Sequence, residues 1–280
     1  MLEPGRPAAA RHRLLAAAPG PAGRGAEPAV SGFALVFGAL AALYAWGWWR
    51  AKRRGRGWPL WRLALFVGSA LAIVAVMSPP SMQWAHDDFR GHMAVHLVAG
   101  MIAPLGLVMA APASLALKNV PAHWGRRWVR FVSLPPIRVL SHPVTAALLN
   151  IGGMMALYLT DLYIAMRHSP GFALWLHWHF VVAGCLFSWA IAGPDPAPRR
   201  PSLEWRFGVL VVSMAAHATL SKWMARFHFP ASVPLDQVRQ GAELMFYAGE
   251  LPEALLAYLL ARQWVRSRYR EPAGARGVTP

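Results

Sequence analysis

His92 and His96 stand four residues apart in HMAVH, inside the run RGHMAVHLVAGMIAPLGLVMAAP. Residues i and i+4 share one face of a helix, and the residues after the pair are apolar enough to cross a bilayer. Imidazoles in a membrane helix are costly unless something uses them, and two at this spacing form a known ligand geometry. LHWH adds His177 and His179, and AAHATL adds His217, each in a different apolar run. Imidazole suits copper, zinc, iron and nickel, while a thioether adds a preference for Cu(I). Met93 and Met214 lie in the same runs as these histidines, with Met82, Met101, Met154, Met155 and Met224 also near in sequence. His together with Met leans toward copper. Heme is the other option, since histidines from different helices can ligate its iron.

Carboxylates enter in AELMFYAGELPEALLAYLL. Glu250 falls near mid-membrane, where a charged group costs about 2.5–3.5 kcal/mol on insertion scales. It is expected to face the bundle and find a partner there, or to be protonated. Glu243 falls near the surface, and the pattern does not assign Glu253 a side. Pro252 leaves one backbone carbonyl without its usual donor. His86, Asp87 and Asp88 form an outer acidic cluster ahead of the HMAVH run that could capture a cation, with His86 in a supporting role to the histidine site. Pro104 is expected to kink the helix below His96 and open space beside the imidazoles. His142, just before Pro143, reads as a helix-entry residue. The single cysteine, Cys185, excludes an internal disulfide and any CxxC motif.

These groups must be held by membrane helices. Hydrophobic residues make up 56% of the 280 and charged residues only 14%, against about 25% charged in an average soluble domain. Seven windows are long enough to span, at about 20 apolar residues each: 29–49, 59–78, 91–111, 139–159, 172–192, 207–224 and 242–262. The fold class is therefore all-α, a seven-helix transmembrane bundle over 29–262. It comes after a disordered Ala/Pro/Gly/Arg tail, 1–28, and precedes a basic tail, 263–280. The net charge of +16 lies in short connections and sets topology rather than binding nucleic acid. Alternate connections (50–57, 112–138, 193–206 and the C-terminal tail) hold eighteen Lys/Arg against three in the others (79–89, 160–171, 225–241). That asymmetry places the N-terminus outside and the C-terminus in the cytoplasm. His92, His96, His177, His179 and His217 then share the outer half, His217 about 10 Å below the surface.

Four stretches together resemble the CtaG-type family of caa-type cytochrome c oxidase assembly factors. HMAVHLVAGMIAPLGLVMAAP is similar to the family's H-M-x-x-H span. SHPVTAALLNIGGMMALYLTDLYIAMRHSP opens with its His-Pro. LHWHFVVAGCLFSWAIAGPDP is similar to its H-x-H-F span ending in G-x-D-P, and GELPEALLAYLLARQWVRS to its G-E-x-P span with a basic tail. The resemblance runs from about Trp84 to Arg268. It implies a multi-pass protein of the bacterial cytoplasmic membrane, without catalytic residues of its own, that matures the oxidase by binding or delivering copper. The matching residues are His92, His96, His177, His179, His217 and Glu250, and the implied partners are oxidase subunits within the bilayer. Two alternatives stand beside this: a heme-binding oxidoreductase with bis-histidine ligation, and a metal-free chaperone for an oxidase subunit, with histidines as interhelical hydrogen-bonders.

Overall fold

The computed structural model describes residues 26–197 and 200–268, and within them every regular element is helical. The tails, as far as they cover 1–25 and 269–280, lie outside the described residues. α1 (Ala26–Arg53) packs on α2 (Leu60–Val76), which bends into α3 (Pro79–Asp87). α4 (Phe89–Leu97) passes through a π-helical turn, Val98–Ile102, into α5 (Ala103–Met109). Three short helices come next: α6 (Pro112–Asn119), α7 (Ala122–Val132) and α8 (Pro135–Leu140). α9 (Pro143–Ala147) continues through a second π turn, Leu148–Gly152, into α10 (Gly153–Leu159), and α11 (Leu162–His168) turns away. α12 (Pro170–Ala192), α13 (Leu203–Phe227) and α14 (Leu235–Arg268) complete the bundle.

Local chemistry sets these boundaries. Asp88 opens α4 by accepting from the Arg90 N–H at 2.8 Å. Ser169 and Ser202 cap α12 and α13 in the same way, and Pro occupies the first turn of α9 and α12. His142 has the expected helix-entry role, its Nδ1 accepting from the Val144 N–H at 3.3 Å.

Four helical runs are long and apolar enough to cross a membrane: Gly32–Arg53, Phe89–Asn119, Pro170–Ala192 and Leu235–Arg268. Two bent pairs, α2 with α3 (56°) and α9–α10 with α11 (81°), raise the count to six if each is one span. The expected window at 207–224 makes the difference. α13 has 25 residues, about 37 Å of helix, but Glu204, Arg206, His217, Lys222 and Arg226 dilute its apolar character. Exposed Leu35, Leu43, Leu71, Leu148, Val212 and Leu251 give the bundle an apolar exterior, as lipid contact requires. The α4–α5 run lies at the centre, with 78% of its most apolar window buried against 22% for α1.

Pro104 does not break its helix. The strain is absorbed by the π turn immediately before it, and Phe89–Asn119 continues as one run. Gly184 of α12 lies against the carbonyl of Gly100 in that turn, a contact a Cβ would prevent.

Hydrogen bonds gather the Lys/Arg-rich connections at one end. Lys118 Nζ donates to the Gly57 carbonyl at 3.3 Å, and Arg56 donates to the Lys118 carbonyl. Asp195 accepts from Ser114 N–H at 2.7 Å, Ser114 Oγ at 2.6 Å and Ala113 N–H at 3.1 Å. Arg206 Nη1 donates to the Ile191 carbonyl at 2.7 Å, and Gln263 Nε2 to that of Ala192 at 2.8 Å. Arginines lie over tryptophans at this end, Arg53 on Trp49 at 4.1 Å and Arg268 on Trp264 at 4.5 Å. That combination of amphipathic rings and cations suits a membrane interface. At the opposite end Gln237 Oε1 accepts from the Phe89 N–H at 3.2 Å, joining the connections that carry few cations.

Candidate metal site

The site is built on α4, because the i, i+4 spacing turns His92 and His96 inward together and both are buried. His92 stacks on Phe89 of its own helix, ring centroids 5.7 Å apart, and meets Tyr163 edge-on at 5.2 Å. Its Nε2 lies 3.1 Å from the hydroxyl of the fully buried Tyr158. His96 meets Phe180 edge-on at 5.3 Å and rests against Gly100, where a Cβ would stand 3.3 Å from its ring. The Nε2 of His96 is buried and has no hydrogen-bond partner among the described residues.

α12 supplies a third imidazole. His177 Nδ1–H donates to the Ala173 carbonyl at 2.6 Å, which leaves the Nε2 lone pair available. His92, His96 and His177, with Tyr158, Met166 and Phe180, line a cavity of about 20 Å³. Such a volume holds one water or one ion. Its donors are imidazole nitrogen, a phenol oxygen and a thioether, a set that suits copper better than hard cations. Among the described residues, no three His, Cys, Asp or Glu side chains converge closely enough to hold a metal ion. The imidazoles surround the cavity without closing on one point.

The other histidines do different work. His179 leaves the cavity face: its Nε2 donates to the Leu149 carbonyl in the second π turn at 3.0 Å, and its ring stacks on Trp175 at 5.4 Å. His217 is buried on α13, with Nδ1 3.2 Å from Glu253 Oε1 on α14. Its Nε2, like that of His96, has no partner among the described residues. Gly249 makes room for the ring, since a Cβ there would collide with His217.

Comparison with known proteins bears on this geometry. The family model for the cytochrome c oxidase caa3 assembly factor (Caa3_CtaG) matches residues 42–267. The chain belongs to this family. The match reaches further toward the N-terminus than the motifs that begin at Trp84, taking in part of α1. An uncharacterized protein of Mycobacterium leprae is 31% identical over 248 residues, 81% of this chain and 38% of its own length. Uncharacterized proteins of Mycobacterium bovis and Mycobacterium tuberculosis are 31% identical over 252 residues, 82% of this chain and again 38% of their length. The chain thus spans well under half of these curated relatives. No solved structure matches.

Within this Caa3_CtaG chain, four supporting residues expected at the site stand elsewhere. Glu250 is exposed, not turned into the bundle; Glu253 is the buried carboxylate. The reason is helical phase. Met245, Gly249, Pro252, Glu253, Leu256 and Leu260 form the packed face of α14, and Glu250 projects from the far side beside exposed Tyr247 and Leu251. Met93, one position on from His92, turns toward Gly241 of α14. Met214 packs with Leu210 and Leu260 nearer the basic end, and His86 is exposed. Conversely, Tyr158 and Met166 line the cavity without having been expected there. A polar ring in the otherwise apolar GMMALYL of α10 was the available sign for Tyr158. Nothing local marks Met166.

Proposed function

We propose that this oxidase assembly factor handles copper as cargo, holding it at the His92–His96–His177 cavity before passing it to an oxidase subunit. The observation that carries this is the unpartnered Nε2 of His96 beside an ion-sized cavity. A buried polar atom left without a partner costs about 1–3 kcal/mol, and a ligand that it coordinates repays that cost. Transfer between ligand sets needs no nucleophile, acid or base. The Lys/Arg-rich end is read as cytoplasmic, with seven spans once α13 is included. The cavity then lies in the outer half of a bacterial cytoplasmic membrane, open to supply from outside.

The metal-free chaperone reading applies to two histidines. The His179–Leu149 hydrogen bond and the His217–Glu253 contact at 3.2 Å each join two helices, and polar contacts of this kind hold membrane helices together. The heme reading fits poorly, since His92 and His96 share one face of one helix and cannot flank a single macrocycle.

The test is oxidase maturation in copper-limited cells lacking the endogenous factor. Wild-type protein restores oxidase activity; His92→Ala/His96→Ala, at matched membrane abundance, does not, and added copper rescues it. Full maturation by the variant under copper limitation overturns the proposal.

A further inference from the structure

The segment between the HMAVH span and His142 contains Lys118, Arg126, Arg127, Arg130 and Arg138 and no Asp or Glu. Topology alone would be served by these charges in a loop. Instead the chain folds them into helices. On α7, AHWGRRWVRFV, a 100° step per residue puts His123, Arg126, Arg127 and Arg130 on one side and Trp124, Trp128, Phe131 and Val132 on the other. On the apolar side Val132 is buried and Trp128 half-buried, while Trp124 and Phe131 are about half exposed, at 48% and 50%. Leu134 and Val139, just beyond, are also exposed. An apolar face left open by the protein, backed by an all-basic face, is the pattern of a helix lying in a membrane interface. Arg127 lies 4.9 Å from the Trp124 ring, bridging the two faces.

Where α7 ends, a cleft of about 440 Å³ opens. Val132, Pro135, Arg138, Val139, Trp189 and Arg200 are among its lining residues. Among the described residues its lining carries no carboxylate. Arg200 is partly committed, donating to the Gly193 and Asp195 carbonyls. Arg138 is exposed, and its guanidinium donates to none of the described residues. His142 accepts at Nδ1 from Val144, so its proton sits on Nε2, a further donor in the cleft lining. Arginine and Nε2–H donors on an apolar-walled cleft match a phosphodiester with attached acyl chains.

We infer that this cleft binds the phosphate headgroup of an anionic phospholipid, with α7 lying beside it in the interface of the same leaflet. The bilayer supplies the occupant, and the net negative charge of the headgroup distinguishes it from zwitterionic lipid. The inference does not depend on copper handling.

Native mass spectrometry of the full-length protein in detergent tests it, with phosphatidylglycerol titrated against phosphatidylcholine and inorganic phosphate as competitor. Phosphatidylglycerol is expected to bind at least tenfold more tightly. Arg138→Gln should weaken it about fivefold, the effect of one lost cation facing an anionic lipid, while Arg126→Gln/Arg127→Gln/Arg130→Gln, outside the cleft lining, should leave it within about twofold. Arg138→Lys should bind as wild type, which separates charge from misfolding, and phosphate should not displace the lipid. Equal affinity for the two lipids, or Arg138→Gln binding as wild type, overturns the inference. Displacement by millimolar phosphate overturns it in favour of a free-anion site.

Discussion

The clasp at the basic end and the histidine cavity in the opposite half are both buried polar assemblies, but they are finished differently. Asp195 accepts three hydrogen bonds from Ala113 and Ser114, and they tie the 193–195 connection to the start of α6. The cavity contains imidazoles oriented by neighbours, His92 by Tyr158 and His177 by Ala173. Yet it leaves His96 Nε2 without a partner among the described residues. Interiors rarely leave such an atom idle. Asp195, with its bonds satisfied, holds the fold; His96 Nε2, unsatisfied and beside an ion-sized cavity that the likewise unpartnered His217 does not line, is available to a ligand.

Breaking the clasp should therefore cost stability and spare copper. Asp195→Ala leaves the Ala113 and Ser114 donors unmatched, and about 2–4 kcal/mol should be lost. A lower thermal midpoint in detergent, with unchanged copper per folded chain, is the expected result. The His217–Glu253 pair comes next. Glu253→Ala or Gly249→Ala should each cost about 1–3 kcal/mol, the first by stripping a buried imidazole of its partner and the second by overpacking against the ring. Glu250→Ala should change the midpoint little, and the contrast between Glu250 and Glu253 is read directly from paired thermal melts.

His96→Phe sharpens the comparison from the other side. Replacing an unpaired buried polar group with an apolar ring of similar shape is close to neutral or stabilising, so the unfolding free energy should change by less than about 1 kcal/mol while copper binding is lost. The smallest effect is at the helix start. The Arg90 guanidinium beside Asp88 holds its carboxyl below the usual carboxylate range. A depressed folded pKa gives stability that is present above the ordinary carboxylate value and lost as pH falls through the depressed one. In this exposed setting, Asp88→Asn should cost less than about 1 kcal/mol at neutral pH, and the difference from wild type should vanish in acid melts.

Much of the architecture was legible because its signals are local or additive. Apolar windows marked helices, the Lys/Arg count separated connections that hydrogen bonds then bring together, and the i, i+4 rule put His92 and His96 on one face. The hidden part depends on helix phase and on neighbours distant in sequence. Glu250 and Glu253 are three residues apart, and the choice between them rests on which side of α14 meets α13. Gly249 was the missed sign, since a glycine among large residues often marks close approach. His177 and His179 diverge because adjacent-but-one residues lie about 200° apart on a helix. The partner of His92, Tyr158, lies 66 residues away, beyond the reach of any spacing rule. The helices within 112–140 were hidden because their charges matched the demands of topology on their own.

The most direct measurement is copper per chain, with an absorption spectrum, in detergent-purified wild type, His92→Ala/His96→Ala and His179→Ala. Copper handling at the cavity predicts about one copper in wild type, none in the double variant, retention in His179→Ala and no Soret band. Equal copper in wild type and the double variant, or a heme spectrum lost with these histidines, would contradict it.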